Sequence, residues 1–168
     1  MVDDVVPWKQ VANHATVWNV YGPTENTIYC TAYRVGSHDI KQHNGVVSIG
    51  KAMLHTHTMI VDSEHQKVAQ GETGELCLAG DMLTPGYWND DEKNRQAFFS
   101  DGKRRWYLTG DICREDENGD TEYVGRSDSQ VKIQGYRIEL SEIESVARRY
   151  YEQQTAVVAV VLGEQNNQ

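Results

Sequence analysis

The 168 residues carry 16 lysines and arginines against 25 aspartates and glutamates, a net charge of −9, with 39% hydrophobic and 24% charged residues. That is enough chain for one medium domain or two small lobes, and its acidity disfavours a phosphate backbone, so no nucleic-acid partner is expected. Cys30, Cys77 and Cys113 are widely spaced with no Cys-x-x-Cys, and no apolar run approaches membrane-spanning length; buried thiols, a reducing cytoplasm and no membrane association are expected.

In chain order, Val17 to Val20 predicts a strand, broken by Gly-Pro in Tyr21-Gly-Pro-Thr-Glu25. Asn26 to Val35 resumes with strand formers, Gly36 to Gly45 predicts an exposed loop, and Val46 to Val61 predicts two strands divided near Gly50. Glu75 to Ala79 predicts another strand, Asn89 to Phe99 a short helix, and Arg105 to Leu108 and Glu122 to Val124 strands flanking the loop Asp116 to Asp120. After Asp128 the texture changes. Val131, Ile133, Tyr136 and Ile138 alternate around Gln134-Gly135, a hairpin signal. Ser141-Glu-Ile-Glu144 is a capping box, Ile143, Val146, Ala147 and Tyr150 follow at helical spacing, and Ala156 to Leu162 predicts a buried strand.

Four islands carry the chemistry: Tyr21-Gly-Pro-Thr-Glu25, Gly74-Glu-Leu76 with Gly86-Tyr87, Tyr107-Leu-Thr-Gly-Asp111, and the run from Gly125 to Glu144. Taken singly, the first is a strand-ending turn and Thr109-Gly-Asp111 a reverse turn. Taken as chemistry, an aromatic face suits a purine, a carboxylate suits a hard cation or a ribose diol, and a guanidinium suits phosphate. Lys132, mid-strand, reads by pattern as a solvated lysine. His55 and His57 share a predicted strand face but have no third ligand nearby.

In their order, these islands resemble the later core motifs of the adenylate-forming, AMP-binding enzymes. The likeness is to the amino-acid-activating branch: adenylation domains of nonribosomal peptide synthetases and D-alanine–carrier-protein ligases. The resemblance implies a mixed α/β (α+β) fold. A β-rich, distorted barrel or sheet portion of a large lobe, residues 1–127, is followed by the hinge and a truncated small α/β lobe, 128–168.

It implies ATP and Mg²⁺ as cofactors, an amino acid as substrate, and loading onto the phosphopantetheine thiol of a carrier protein. Tyr21 stacks on adenine, the Val20 carbonyl lies near the adenine amine, Thr24 contacts phosphate, and Glu25 holds magnesium. Asp111 takes the ribose, with Arg126 and Tyr123 at the nucleotide. Asp128 falls at the hinge, and Lys132 serves the thioester half-reaction. Val20, Ile28 and Tyr29 line a mainly apolar substrate pocket, and Tyr21, Glu25, Asp111 and Arg126 converge on one surface.

An acyl-CoA synthetase-type ligase and a non-catalytic nucleotide-binding or interaction module are the rival readings. Leu140-Ser141 favours the amino-acid branch; Pro85 and Gln134 depart from the usual pattern. The family's phosphate-binding loop, amine-binding Asp and late Asn-Gly-Lys do not occur. The chain is therefore expected to be a fragment, inactive alone, and prone to self-association through an unpaired strand edge.

Overall fold

In the computed structural model, residues 2–12, 14–36, 40–127, 130–133, 136–140, 143–144, 146–147 and 158–160 are described. The chain divides into two compact units, Met1–Ser127 and Asp128–Gln168.

The first unit opens with helix α1, Val2–Val11. Sequence reading misses it because Pro7 lies inside, where proline removes a backbone donor. Strand β1 (Trp18–Tyr21) pairs antiparallel with β2 (Thr31–Arg34), which pairs with the short β5 (Lys51–Ala52). The predicted strand from Asn26 therefore starts late: Thr24–Asn26 is a 3-10 turn and 27–30 a loop. The predicted loop from Gly36 ends in a tight hairpin, β3 (Gln42–His43) with β4 (Val46–Val47).

A second sheet runs β10-β9-β7-β6, with β8 (Phe98–Ser100) also on β9. Its strands are β6 (Thr56–Val61), β7 (Thr73–Gly80), β9 (Arg105–Glu115) and β10 (Thr121–Arg126). Strand β7 explains the apolar run read in the sequence. Leu76 and Leu78 enter one core cluster with Cys30, Ile49, Ile60 and Cys113. Cys77 and Ala79 enter another with Val61 and Trp106. A strand covered on both faces loses the polar half of its alternation. All three cysteines are buried and free, and burial raises each thiol above its ordinary range, so they are inert packing groups.

Helix α2 (Asp91–Ala97) lies within the predicted segment, with the Asp90 side chain accepting from Lys93 N at 3.0 Å as its cap. Around the β9–β10 turn, Asp116 Oδ1 accepts from Asn118 N and Asp120 N, each at 2.8 Å. Lys41 Nζ bridges Asp116 and Asp120 from the β3 side.

In the second unit, β11 (Gln130–Ile133) pairs antiparallel with β12 (Tyr136–Glu139), the hairpin expected from the alternation. Residues 140, 143–144 and 146–147 are helical, as the periodicity predicts. Glu144 Oε1 accepts from Ala159 N at 3.1 Å, while Ser141 of the predicted capping box lies outside the described residues. The predicted buried strand from Ala156 to Leu162 is corrected in its middle. Residues 158–160 are irregular, and Val158 and Val160 are 75% and 68% exposed. Apolar character alone does not make a strand without a partner ladder.

Candidate active site

Tyr21 ends β1, and its backbone carbonyl accepts from Cys30 N at 2.7 Å, folding the intervening turn back on the strand. Gly22 permits this approach: a Cβ there would lie 2.5 Å from Tyr29 Cα. The turn itself is a 3-10 segment in which Glu25 and Asn26 are buried and Thr24 is exposed. Thr27 and Ile28 then follow with φ of 51° and 73°. Positive φ is costly for a β-branched side chain, so strain is stored beside the site. Val20, Ile28 and Tyr29 are all exposed, at 49%, 75% and 46%.

Asp111 is buried inside β9, not at a strand end or in a reverse turn as its triplet suggests. The reason is a wide bulge. Glu75 pairs with Ile112 and Cys77 with Leu108, so Thr109, Gly110 and Asp111 together face the single residue Leu76. Gly110 has a φ of 73°, the left-handed region where glycine is unstrained. Several bonds hold the bulge open. Gly110 N donates to Glu75 Oε1 at 2.7 Å, Thr109 Oγ1 donates to Leu76 O at 2.7 Å, and Ser127 N donates to Gly110 O at 2.9 Å.

The bulge aims Asp111 at two partners. The Tyr21 hydroxyl donates to Asp111 Oδ2, and Arg126 Nη1 donates to Asp111 Oδ1 at 2.9 Å. Arg126 sits opposite Asp111 across the β9–β10 ladder and also donates to Thr109 O at 3.0 Å. Bonds to an ionised group contribute about 1.5–3 kcal/mol each. Burial first, then the Asp111 charge, raise the Tyr21 phenol well above its ordinary value, so it stays a donor. Tyr123, on β10, packs against the same core cluster as Tyr21.

Three of the four residues expected to converge thus do so: Tyr21, Asp111 and Arg126 share one cluster of bonds. Glu25 forms a neighbouring centre. Its Oε1 accepts from the Tyr87 hydroxyl at 2.6 Å, and its backbone carbonyl accepts from Thr84 N at 2.7 Å. Among the described residues, no group of three or more His, Cys, Asp or Glu could hold a metal by itself. A lone carboxylate nonetheless fits Mg²⁺, which takes one or two protein carboxylates and fills its shell with water and phosphate oxygens. His55 and His57 do not share a strand face. His55 precedes β6 with a φ of 66° and lies 3.5 Å from Asp81 Oδ2.

Lys132 lies in β11, its backbone opposite Arg137. Asp128, the expected hinge, falls outside the described residues. Two contributors escape sequence reading: Glu75, which holds the Asp111 bulge, and Tyr87, which holds Glu25. Both stand in islands singled out in the sequence, yet nothing in their spacing says what they touch.

A family model described as AMP-binding enzyme matches residues 3–88. The chain belongs to the AMP-binding enzyme family. Tyrocidine synthase 3 of Brevibacillus parabrevis is 43% identical over 149 residues, 86% of this chain and 2% of that protein. The D-alanine--D-alanyl carrier protein ligase of Lacticaseibacillus casei (strain BL23) is 41% identical over 130 residues, 77% of this chain and 26% of the ligase.

Among solved structures, the chain is similar to the Vibrio cholerae adenylation domain AlmE in complex with glycyl-adenosine-5'-phosphate. The TM-score is 0.82 and the identity 38%, over 98% of this chain and 31% of that one. The mixed α/β fold read from the sequence is that of these AMP-binding neighbours, and the relatives fall in the amino-acid-activating branch. The matched region is about a quarter of the ligase and far less of the synthase. No helix among the described residues is long and apolar enough to cross a membrane.

Proposed function

We propose that this chain supplies the nucleotide-binding part of an amino-acid-activating ligase. Such a ligase condenses an amino acid with ATP to an aminoacyl-adenylate and pyrophosphate, then passes the acyl group to a carrier protein's phosphopantetheine thiol. The observation that carries the reading is the meeting of Tyr21 and Arg126 on Asp111, the first from 90 positions away in sequence and the second from across the β9–β10 ladder. An ionised carboxylate offers about four acceptor sites. Two serve Tyr21 and Arg126, which leaves capacity for a ribose diol. The Tyr21 ring, fixed by its hydroxyl, serves as a platform for adenine, with the Val20 carbonyl at the exocyclic amine. Thr24, Tyr123 and Arg126 meet the sugar and phosphates.

Glu25 binds Mg²⁺, which neutralises phosphate charge when present. The exposed Val20, Ile28 and Tyr29 line one wall of an apolar amino-acid pocket. Residues 1–127 belong to the large lobe and 128–168 to the hinge and small lobe, with Asp128 absorbing the backbone rotation. Lys132 is assigned to the thioester step. The setting is the cytoplasm.

Equilibrium binding of AMP to the chain tests the site. Asp111→Ala is expected to weaken AMP binding at least about tenfold, since it removes charge-assisted bonds. AMP binding that survives Asp111→Ala intact would refute the ribose assignment. The reaction class is read by amino-acid-dependent exchange of labelled pyrophosphate into ATP, on the natural gene product containing this sequence. An apolar amino acid should be the best substrate; a preference for a charged one removes the pocket assignment.

A further inference from the structure

Tyr87 is 62 positions from Glu25 in the chain, yet its hydroxyl donates to Glu25 Oε1 at 2.6 Å. The ring is held from several directions. One amide side chain binds both its backbone groups: Tyr87 N donates to Asn94 Oδ1 at 2.7 Å, and Asn94 Nδ2 donates to Tyr87 O at 2.9 Å. Asn94 is itself fixed within α2. Lys93 Nζ lies 4.5 Å from the centre of the Tyr87 ring, and the Phe98 ring is tilted against it at 6.1 Å. A second strut joins the same loop to the same turn, the bond from Thr84 N to Glu25 O at 2.7 Å. Packing alone would place the ring; it does not require the phenol to end on the carboxylate of a buried glutamate.

We infer that Tyr87 is a positioning residue for the Glu25 carboxylate, fixing its orientation toward the divalent cation that accompanies the nucleotide triphosphate. This rests on the nucleotide reading proposed above. A ligand to Mg²⁺ must meet a near-octahedral shell at a short, fixed distance. A carboxylate free to rotate loses affinity to the cost of ordering it, and a donor supplied by the fold removes that cost. The Tyr87 hydroxyl is a suitable donor because its ring and main chain are held by α2, so the bond reaches Glu25 Oε1 from a fixed position. The sequence hides the relation because nothing in the spacing of Gly86-Tyr87 and Tyr21-Gly-Pro-Thr-Glu25 says that they touch.

The test compares wild type, Tyr87→Phe, Asn94→Ala and Glu25→Gln by equilibrium binding. AMP is measured with chelator, and ATP with and without Mg²⁺. Tyr87→Phe keeps the ring and deletes only the hydroxyl. Asn94→Ala keeps the phenol but releases the main chain that aims it, and thermal melts confirm that each variant folds. Tyr87→Phe is expected to cut the Mg²⁺-dependent gain in ATP affinity about tenfold while AMP affinity stays within about twofold. Asn94→Ala should show the same selective loss, and Glu25→Gln a larger one.

A full Mg²⁺ gain in Tyr87→Phe, with the gain lost in Glu25→Gln, would overturn the positioning role and leave the nucleotide reading standing. Equal loss of AMP and ATP binding in Tyr87→Phe would make the tyrosine merely structural. Wild-type chain that binds no AMP would defeat the nucleotide reading itself, and this inference with it.

Discussion

Gly110 donates its backbone proton to Glu75 Oε1 at 2.7 Å, across 35 positions of sequence, and that bond sits under the bulge presenting Asp111. Glu75→Ala leaves a bulge amide without its acceptor in a half-buried site, at a cost of about 1–3 kcal/mol. AMP affinity should fall with it, because Asp111 moves with Gly110. Glu75→Gln keeps an acceptor of the same reach and should recover most of both losses. Chemical denaturation read alongside AMP binding checks this. If Glu75→Ala matches wild type in both, the remaining bonds of Thr109, Ser127 and Arg126 hold the bulge without it.

Tyr21 and Tyr87 both have phenols raised above their ordinary value, by burial first and then by Asp111 and Glu25 respectively. A folded-state pKa above the unfolded one means stability is complete below the unfolded value, about 10 for tyrosine. Above that pH the unfolded chain loses protons that the folded chain keeps, so stability falls as pH rises toward the folded values. Unfolding by urea at a series of alkaline pH values should show this decline. Tyr21→Phe and Tyr87→Phe should each make it shallower. A wild-type curve that stays flat above about pH 10 would contradict both environments.

Asp101 has the opposite sign. Backbone bonds from Arg104 first, then the Trp106 indole and the Lys103 backbone, lower its carboxyl to about 2. Trp106 Nε1 donates to Asp101 Oδ2 at 2.9 Å. The contribution is complete above the unfolded value, about 3.9, and is lost as pH falls toward the folded value of about 2. Asp101→Asn should reduce the acid sensitivity of stability in that window and perturb Trp106 fluorescence. Identical acid profiles for the two proteins would rule out this role for the turn.

The islands made family and branch legible before any geometry. Tyr21-Gly-Pro-Thr-Glu25 combines residue types whose chemistry is specific even when their partners are unknown. The β-rich texture was legible too, because β7 and β9 are rich in residues that pack well on a pleated surface. Local errors had local causes. Pro7 concealed α1, left-handed Thr27 and Ile28 interrupted what reads as one strand, and residues 158–160, read as strand on apolarity alone, are irregular.

Sequence by itself determined the family and its amino-acid-activating branch, since that likeness is carried by residue type and order along the chain. Tertiary structure alone decided what each motif residue touches. Asp111 is buried in a long strand, not set in a turn, because a two-residue surplus in β9 over β7 has to bulge, and Gly110 accepts the positive φ that this needs. Glu25 meets Tyr87, and Gly110 meets Glu75, only because distant strands and loops are folded together. Such pairings depend on register, loop closure and packing summed over the whole unit, and periodicity within a short window of sequence does not encode them.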